Sequence, residues 1–285
     1  MNRRTIPLLA ACALLGACSA TRFAYDNADT LLRFMASSYF DLDSAQAEDM
    51  RLRIVRLHQW HRTSELPAYA ALMRSASERA ARGITAEDVA WGLENVRSRY
   101  RKLAAKAAEE AAPVLATLAP EQIAALESKF ADNNAKFERE FLSADDQERR
   151  RAQARRMLAR FRDLAGDLSA DQEARIELFV LANEKHVALR YEDRLLLQRD
   201  LVAAIRTHRD PRELGASLAE IFGKPELRRT EAFIRDDKAW DASLAQLIVE
   251  LDRSLSPAQR ARVVRRLSDY ASDFAALAGE EKGAA

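Results

Sequence analysis

The chain has 285 residues, 45 basic and 44 acidic, for a formal net charge of +1. That balance argues against a nucleic-acid surface running over the whole chain, which needs a marked basic excess. With 48% hydrophobic and 31% charged residues but only 8 Gly and 7 Pro, the composition excludes a disordered chain and suits long amphipathic helices.

Met1-Asn2-Arg3-Arg4 is a short positive segment, followed by an apolar run from Ile6 to Ala17. The run is too short to span a bilayer and closes on small residues, the layout of a secretory signal. Both cysteines, Cys12 and Cys18, lie here, so no disulfide is expected in the mature chain. Leu15-Gly16-Ala17-Cys18 resembles the bacterial lipobox, in which the signal is cut before a cysteine that is then lipidated. The same pattern at Leu9-Ala10-Ala11-Cys12 leaves too short an apolar core. The expectation is a signal peptide over 1–17 and an acylated Cys18 as the first mature residue. Removing Arg3 and Arg4 takes the net charge to −1. Each acyl chain adds about 0.8 kcal/mol per buried methylene, so two or three anchor a protein nearly permanently. Ser19 after the cysteine, by resemblance to known lipoprotein sorting, implies the outer membrane, with the body facing the periplasm.

Residues 18–41 read as anchor, short tether and first helix. Ser19 to Ala24 reach at most about 20 Å when extended, so the body is expected to work close against the membrane. Asn27 and Asp29 are expected as caps. Phe23, Tyr25 and Phe34 are expected to pack this helix onto the body.

From there the apolar spacing is helical nearly everywhere. Ile123, Leu126, Phe130, Phe137 and Phe141 form one stripe, interrupted by Asn134. Val263, Leu267, Tyr270, Phe274 and Leu277 form another. Four helix starts share a pattern: Leu42-Asp43-Ser44-Ala45-Gln46, Leu118-Ala119-Pro120-Glu121-Gln122, Leu168-Ser169-Ala170-Asp171-Gln172 and Leu255-Ser256-Pro257-Ala258-Gln259. Asp43, Ser169 and Ser256 are suited to cap the first turn, and the Gln three residues later can reach back to the cap residue's N–H. Ala119 has no side chain to cap with. Further starts at Thr85-Ala86-Glu87-Asp88 and Asp210-Pro211-Arg212-Glu213 give residues 42–142 and 168–279 the same order of parts, with an insertion near Gly223-Lys224-Pro225. That order suggests a tandem duplication. Residues 143–167 read as a basic joining helix and 280–285 as a disordered tail.

The Leu-Ser/Thr-x-x-Gln starts resemble the LTxxQ motif of Spy/CpxP-type proteins, small all-α periplasmic proteins with two such motifs per chain. The resemblance implies an elongated all-α bundle of two tandem units and a chaperone-like or envelope-stress role. Tyr25-Asp26-Asn27-Ala28-Asp29, Leu31-Leu32, Tyr39-Phe40-Asp41-Leu42, Gln46, Trp60 and Glu65-Leu66-Pro67-Ala68-Tyr69 resemble a family of uncharacterised proteobacterial lipoproteins. That likeness implies location and fold, not an activity.

His58, His61 and Glu65 share a helix face and could ligate a metal, though His61 also continues the apolar stripe of Met50, Ile54 and Leu57. Arg149, Arg150, Arg151, Arg155, Arg156, Arg160 and Arg162 crowd the joining helix beside Met157, Leu158, Phe161 and Leu164. They suit an anionic lipid or partner surface, or ion pairs on a solvated face. No G-x-S-x-G elbow, phosphate-binding glycine loop or H-E-x-x-H motif occurs. The expectation is a non-enzymatic outer-membrane lipoprotein without cofactor, binding polypeptides or envelope components and no nucleic acid. Metal sensing through His58 and His61, or a structural role on anionic lipid through the arginine helix, are the alternatives.

Overall fold

The structure, a computed structural model, describes residues 25–142 and 145–279. Cys18, the signal segment 1–17 and the tail 280–285 lie outside the described residues. The described chain is all α: α1 Ala28–Phe40, α2 Ser44–Trp60, a π-helical turn His61–Glu65, α3 Leu66–Arg82, α4 Ala86–Leu115, α5 Pro120–Phe141, α6 Asp146–Ala165, α7 Ala170–Ala182, α8 Lys185–Thr207, α9 Pro211–Gly223, a 3-10 turn Pro225–Leu227, α10 Glu231–Ser254 and α11 Pro257–Gly279. No strand occurs among the described residues. Residues 44–82 run as one helix interrupted only by the π turn, about 58 Å at 1.5 Å per residue, which makes the bundle elongated.

The starts form where the sequence supplies caps. Asp43 Oδ1 accepts from the backbone N–H of Gln46 at 2.9 Å while Gln46 Oε1 accepts from Asp43 N–H at 3.1 Å. Ser169 with Gln172, and Ser256 with Gln259, build the same reciprocal box. Thr85 with Asp88 builds another. At the second start Gln122 still accepts from Ala119 N–H at 2.9 Å, so one arm survives the missing hydroxyl. Asn27 precedes α1 but makes no side-chain cap bond; its ψ of 5° is far from the extended backbone a cap requires.

The glutamines do more than close their own boxes. Gln122 Nε2 donates to Gln46 Oε1 at 2.6 Å and to the carbonyl of Asp41 at 2.7 Å, and Gln46 Nε2 reaches the carbonyl of Thr117 at 3.3 Å. In the second half Gln259 Nε2 donates to Gln172 Oε1 at 2.9 Å and to the carbonyl of Asp167 at 2.7 Å, and Gln172 Nε2 reaches the carbonyl of Ser254 at 3.1 Å. The same hydrogen-bond set therefore clasps two helix starts twice in one chain.

The halves interlock. The two most extensive helix pairings, α3 on α11 and α4 on α9, each join a helix from 42–142 to one from 168–279. One core gathers Ala112, Leu118, Ile123, Leu126, Ile205 and Leu214. A second, between α6, α7 and α10, gathers Leu158, Ile176, Phe179, Leu247 and Leu251. Fully burying each such Leu, Ile or Phe stabilises the fold by about 1.5–3 kcal/mol.

Candidate functional site

Burial decides the fate of the histidines first. Met50, Ile54 and His58 are the buried residues of α2, so the stripe continues to His58 rather than His61. The π turn begins at His61 and shifts the register beyond it. His58 Nε2 lies 3.2 Å from the carbonyl of Tyr25, and the Tyr25 hydroxyl lies 3.0 Å from His61 Nδ1. Arg62 pairs with Asp26 at 3.2 Å. Glu65, only 2% exposed, faces Arg99 at 3.4 Å rather than a histidine. Burial pushes the Tyr25 phenol up to about 12. Burial, and then the neighbouring His58, hold His61 below the ordinary imidazole range. These residues dock the chain's Tyr25-Asp26 segment onto the body, and no group of three metal-ligating side chains forms among the described residues. Phe34, expected to pack inward, is 71% exposed; the side of α1 that packs carries Ala36, Tyr39 and Phe40 instead.

The arginines of α6 separate into two sets. Arg149 pairs with Asp146, Arg150 with Glu184 and Arg162 with Glu173. Arg151, Arg155, Arg156 and Arg160 have no carboxylate partner among the described residues. All four are exposed: Arg151 and Arg155 line a groove between α6 and α7, and Arg156 and Arg160 line a separate cleft that two further arginines, Arg190 and Arg194 of α8, complete. Those two also lack a carboxylate partner among the described residues.

Local structure puts these groups together. On α6, Gln153, Arg156, Met157 and Arg160 follow at steps of three and four, one helical face. On α8, His186, Arg190 and Arg194 do the same at steps of four. Asn183 ends α7 by donating its side-chain amide to the carbonyl of Phe179 at 2.8 Å and to Ser243 Oγ at 3.0 Å, which re-aims α8. On α5, Asn134 is kept from disrupting the apolar stripe by a reciprocal amide pair with Gln198, at 2.7 and 3.2 Å. Beyond it Phe137 and Phe141 stack at 4.6 Å and wall the cleft. Trp240 stacks on His186 at 5.0 Å and meets Phe179 edge-on at 6.1 Å, forming the floor. His186 Nδ1 is held by Asp236 Oδ2 at 2.6 Å.

The result is a cleft of about 450 Å³, inside the 300–1,000 Å³ range of small-ligand sites, with an aromatic floor and four guanidinium groups at its rim. Arg156 lies over the Phe141 ring at 4.6 Å and Arg194 over Phe137 at 5.5 Å. Burial and the charges of Arg155 and Arg160 pull Arg156 below the usual guanidinium value, with Glu140 the only acid that opposes them. Arg190 and Arg194 escape notice in the sequence because Glu192, Asp193 and Asp200 are interspersed among the bases of α8; the signal is the four-residue step from His186.

A family model described as "Family of unknown function (DUF6279)" matches residues 38–234, and the chain belongs to that family. The match spans α5 to α8 and thus all four cleft arginines. No curated protein and no solved structure matches the chain.

Proposed function

We propose that this member of the family is a lipid-anchored, periplasm-facing protein of the outer membrane that binds anionic envelope components and catalyses nothing. The observation that carries the reading is the set of arginines on α6 and α8 that lack carboxylate partners among the described residues, beside an aromatic cleft. Unpaired arginines suit phosphate and carboxylate, which they bind through paired N–H donors. The lipobox-like Leu15-Gly16-Ala17-Cys18 supports the anchor. The docking of Tyr25 on His58 and His61 supports a body held close to it. Leu31 and Phe34 of α1, 59% and 71% exposed, offer an apolar side that suits the membrane nearby. No helix among the described residues is long and apolar enough to cross a membrane, which leaves the anchoring to Cys18 in this reading. The LTxxQ-like starts extend the proposal to a chaperone-like role toward envelope polypeptides.

Flotation tests it with the chain from Ser19 onward, which retains every described residue. The fragment is expected to float with phosphatidylglycerol vesicles and not with phosphatidylcholine vesicles. Binding should weaken as salt screens the charges, and again in Arg151→Gln with Arg155→Gln. Equal flotation with both vesicles, or none with either, overturns it. The chaperone extension falls if an excess of the fragment neither suppresses aggregation of an unfolded client nor binds it.

A further inference from the structure

Most arginines of this chain that stand near acids are paired with them: Arg97 reaches Asp241 at 2.7 Å and Arg206 reaches Glu127 at 2.7 Å. The cleft between α5, α6 and α8 breaks that habit. Arg156, Arg160, Arg190 and Arg194 converge on it from two helices without a carboxylate within ion-pair distance among the described residues. Like charges gathered in one cleft repel, and a bound anion relieves that repulsion. Arg156 and Arg194 meet only the faces of Phe141 and Phe137, so their N–H donors have no acceptor among the described residues. Below the rim lie the apolar surfaces of Phe179, Val180, Val187 and Trp240, which accept hydrocarbon, beside the side-chain amides of Gln153 and Asn183. His186, the other polar ring here, is already held by Asp236. Of the acids around the site, Asp236 is engaged by His186, Glu138 accepts from the Tyr191 hydroxyl at 2.7 Å, and Glu140 acts on Arg156.

We infer that this cleft is a discrete site for a single-chain anionic amphiphile, with its hydrocarbon on the aromatic floor and its phosphate or carboxylate head beneath the four arginines. This rests on the anion-binding reading above and deepens it. A free inorganic anion satisfies the rim but leaves the aromatic floor in water. A neutral hydrocarbon fills the floor but leaves four guanidinium groups uncompensated. Only a ligand with both parts uses the whole site. A nucleic acid is a poor match, because the cationic cluster is a single cleft and not a track along a surface.

Calorimetric titration of the Ser19-onward chain with dodecyl phosphate, below its micelle concentration, tests the proposal. One saturable site per chain is expected. Inorganic phosphate should bind at least a hundredfold more weakly, and dodecyltrimethylammonium should not bind. Arg190→Gln with Arg194→Gln should weaken dodecyl phosphate at least tenfold; Arg190 is exposed and Arg194 half-buried, so the fold tolerates the change. That variant should still float with phosphatidylglycerol vesicles, though more weakly than the unaltered chain, because Arg151 and Arg155 are untouched. No saturable binding, or binding unchanged by the double substitution, overturns the cleft assignment. Flotation then reports separately on the broader function: its persistence leaves that reading standing, and its loss removes both. Inorganic phosphate binding as tightly as dodecyl phosphate overturns the amphiphile and leaves a simple phosphate site.

Discussion

Two reciprocal amide pairs, Gln46 with Gln122 and Gln172 with Gln259, hold the starts of four helices. The sequence spacing exposes half of their work, the Oε1 that closes each capping box, because that contact is local. The Nε2 half spans 76 and 87 residues and is invisible without the fold. Gln172 is 1% exposed, so Gln172→Ala opens a gap at a buried position and removes its bonds to the Ser254 carbonyl and to Gln259. It should cost about 1–3 kcal/mol in urea unfolding, and Gln46→Ala, at a half-buried site, should cost less. His61 gives the second prediction at this scale. It is harder to protonate folded than unfolded, so the unfolded chain binds more protons as the pH falls below about 6.5. Stability should be full above that pH and decline below it. His61→Gln should flatten this part of the profile in thermal melts at pH 7.5 and pH 5.

At the scale of elements, helix identity and most starts are readable from period and caps, while the meaning of a helix face is not. The seven arginines of α6 look like one surface in sequence. The fold assigns Arg149, Arg150 and Arg162 to acids and sends Arg156 and Arg160 to join Arg190 and Arg194. The π turn likewise alters a face: it shifts the register of the residues after His61, so Glu65 faces Arg99 rather than a histidine. A buried carboxylate joins three other elements. Asp252, 7% exposed, takes two bonds from Arg260 at 2.9 and 3.1 Å and one from the N–H of Ile84 at 3.0 Å. Arg260 in turn donates to the carbonyl of Ala80 at 2.7 Å, so the end of α3 is tied to the turn between α10 and α11. Asp252→Ala should destabilise by about 3 kcal/mol, because it leaves a partly buried guanidinium without its partner. The midpoint and slope of a denaturant titration check it.

Over the whole molecule, the repeated order of parts in 42–142 and 168–279 is visible in the sequence, but how the halves meet is not. Nothing local says that α3 must lie on α11 and α4 on α9, since each pairing is long-range. Because those pairings cross between halves, a chain ending at residue 142 exposes the faces of α3 and α4 that the second half covers. It should lose its cooperative melt by circular dichroism, while the intact chain unfolds in one transition. The same interlocking brings α5 of the first half against α6 and α8 to form the arginine cleft. A body that binds anionic surfaces as proposed should show its ligand where the charges lie. Hydrogen–deuterium exchange of the Ser19-onward chain, with phosphatidylglycerol and then phosphatidylcholine vesicles, reads that directly. Added protection over residues 149–160 and 183–194 with the anionic vesicles alone is the predicted result. Protection that is absent there, or equal with both vesicles, contradicts it.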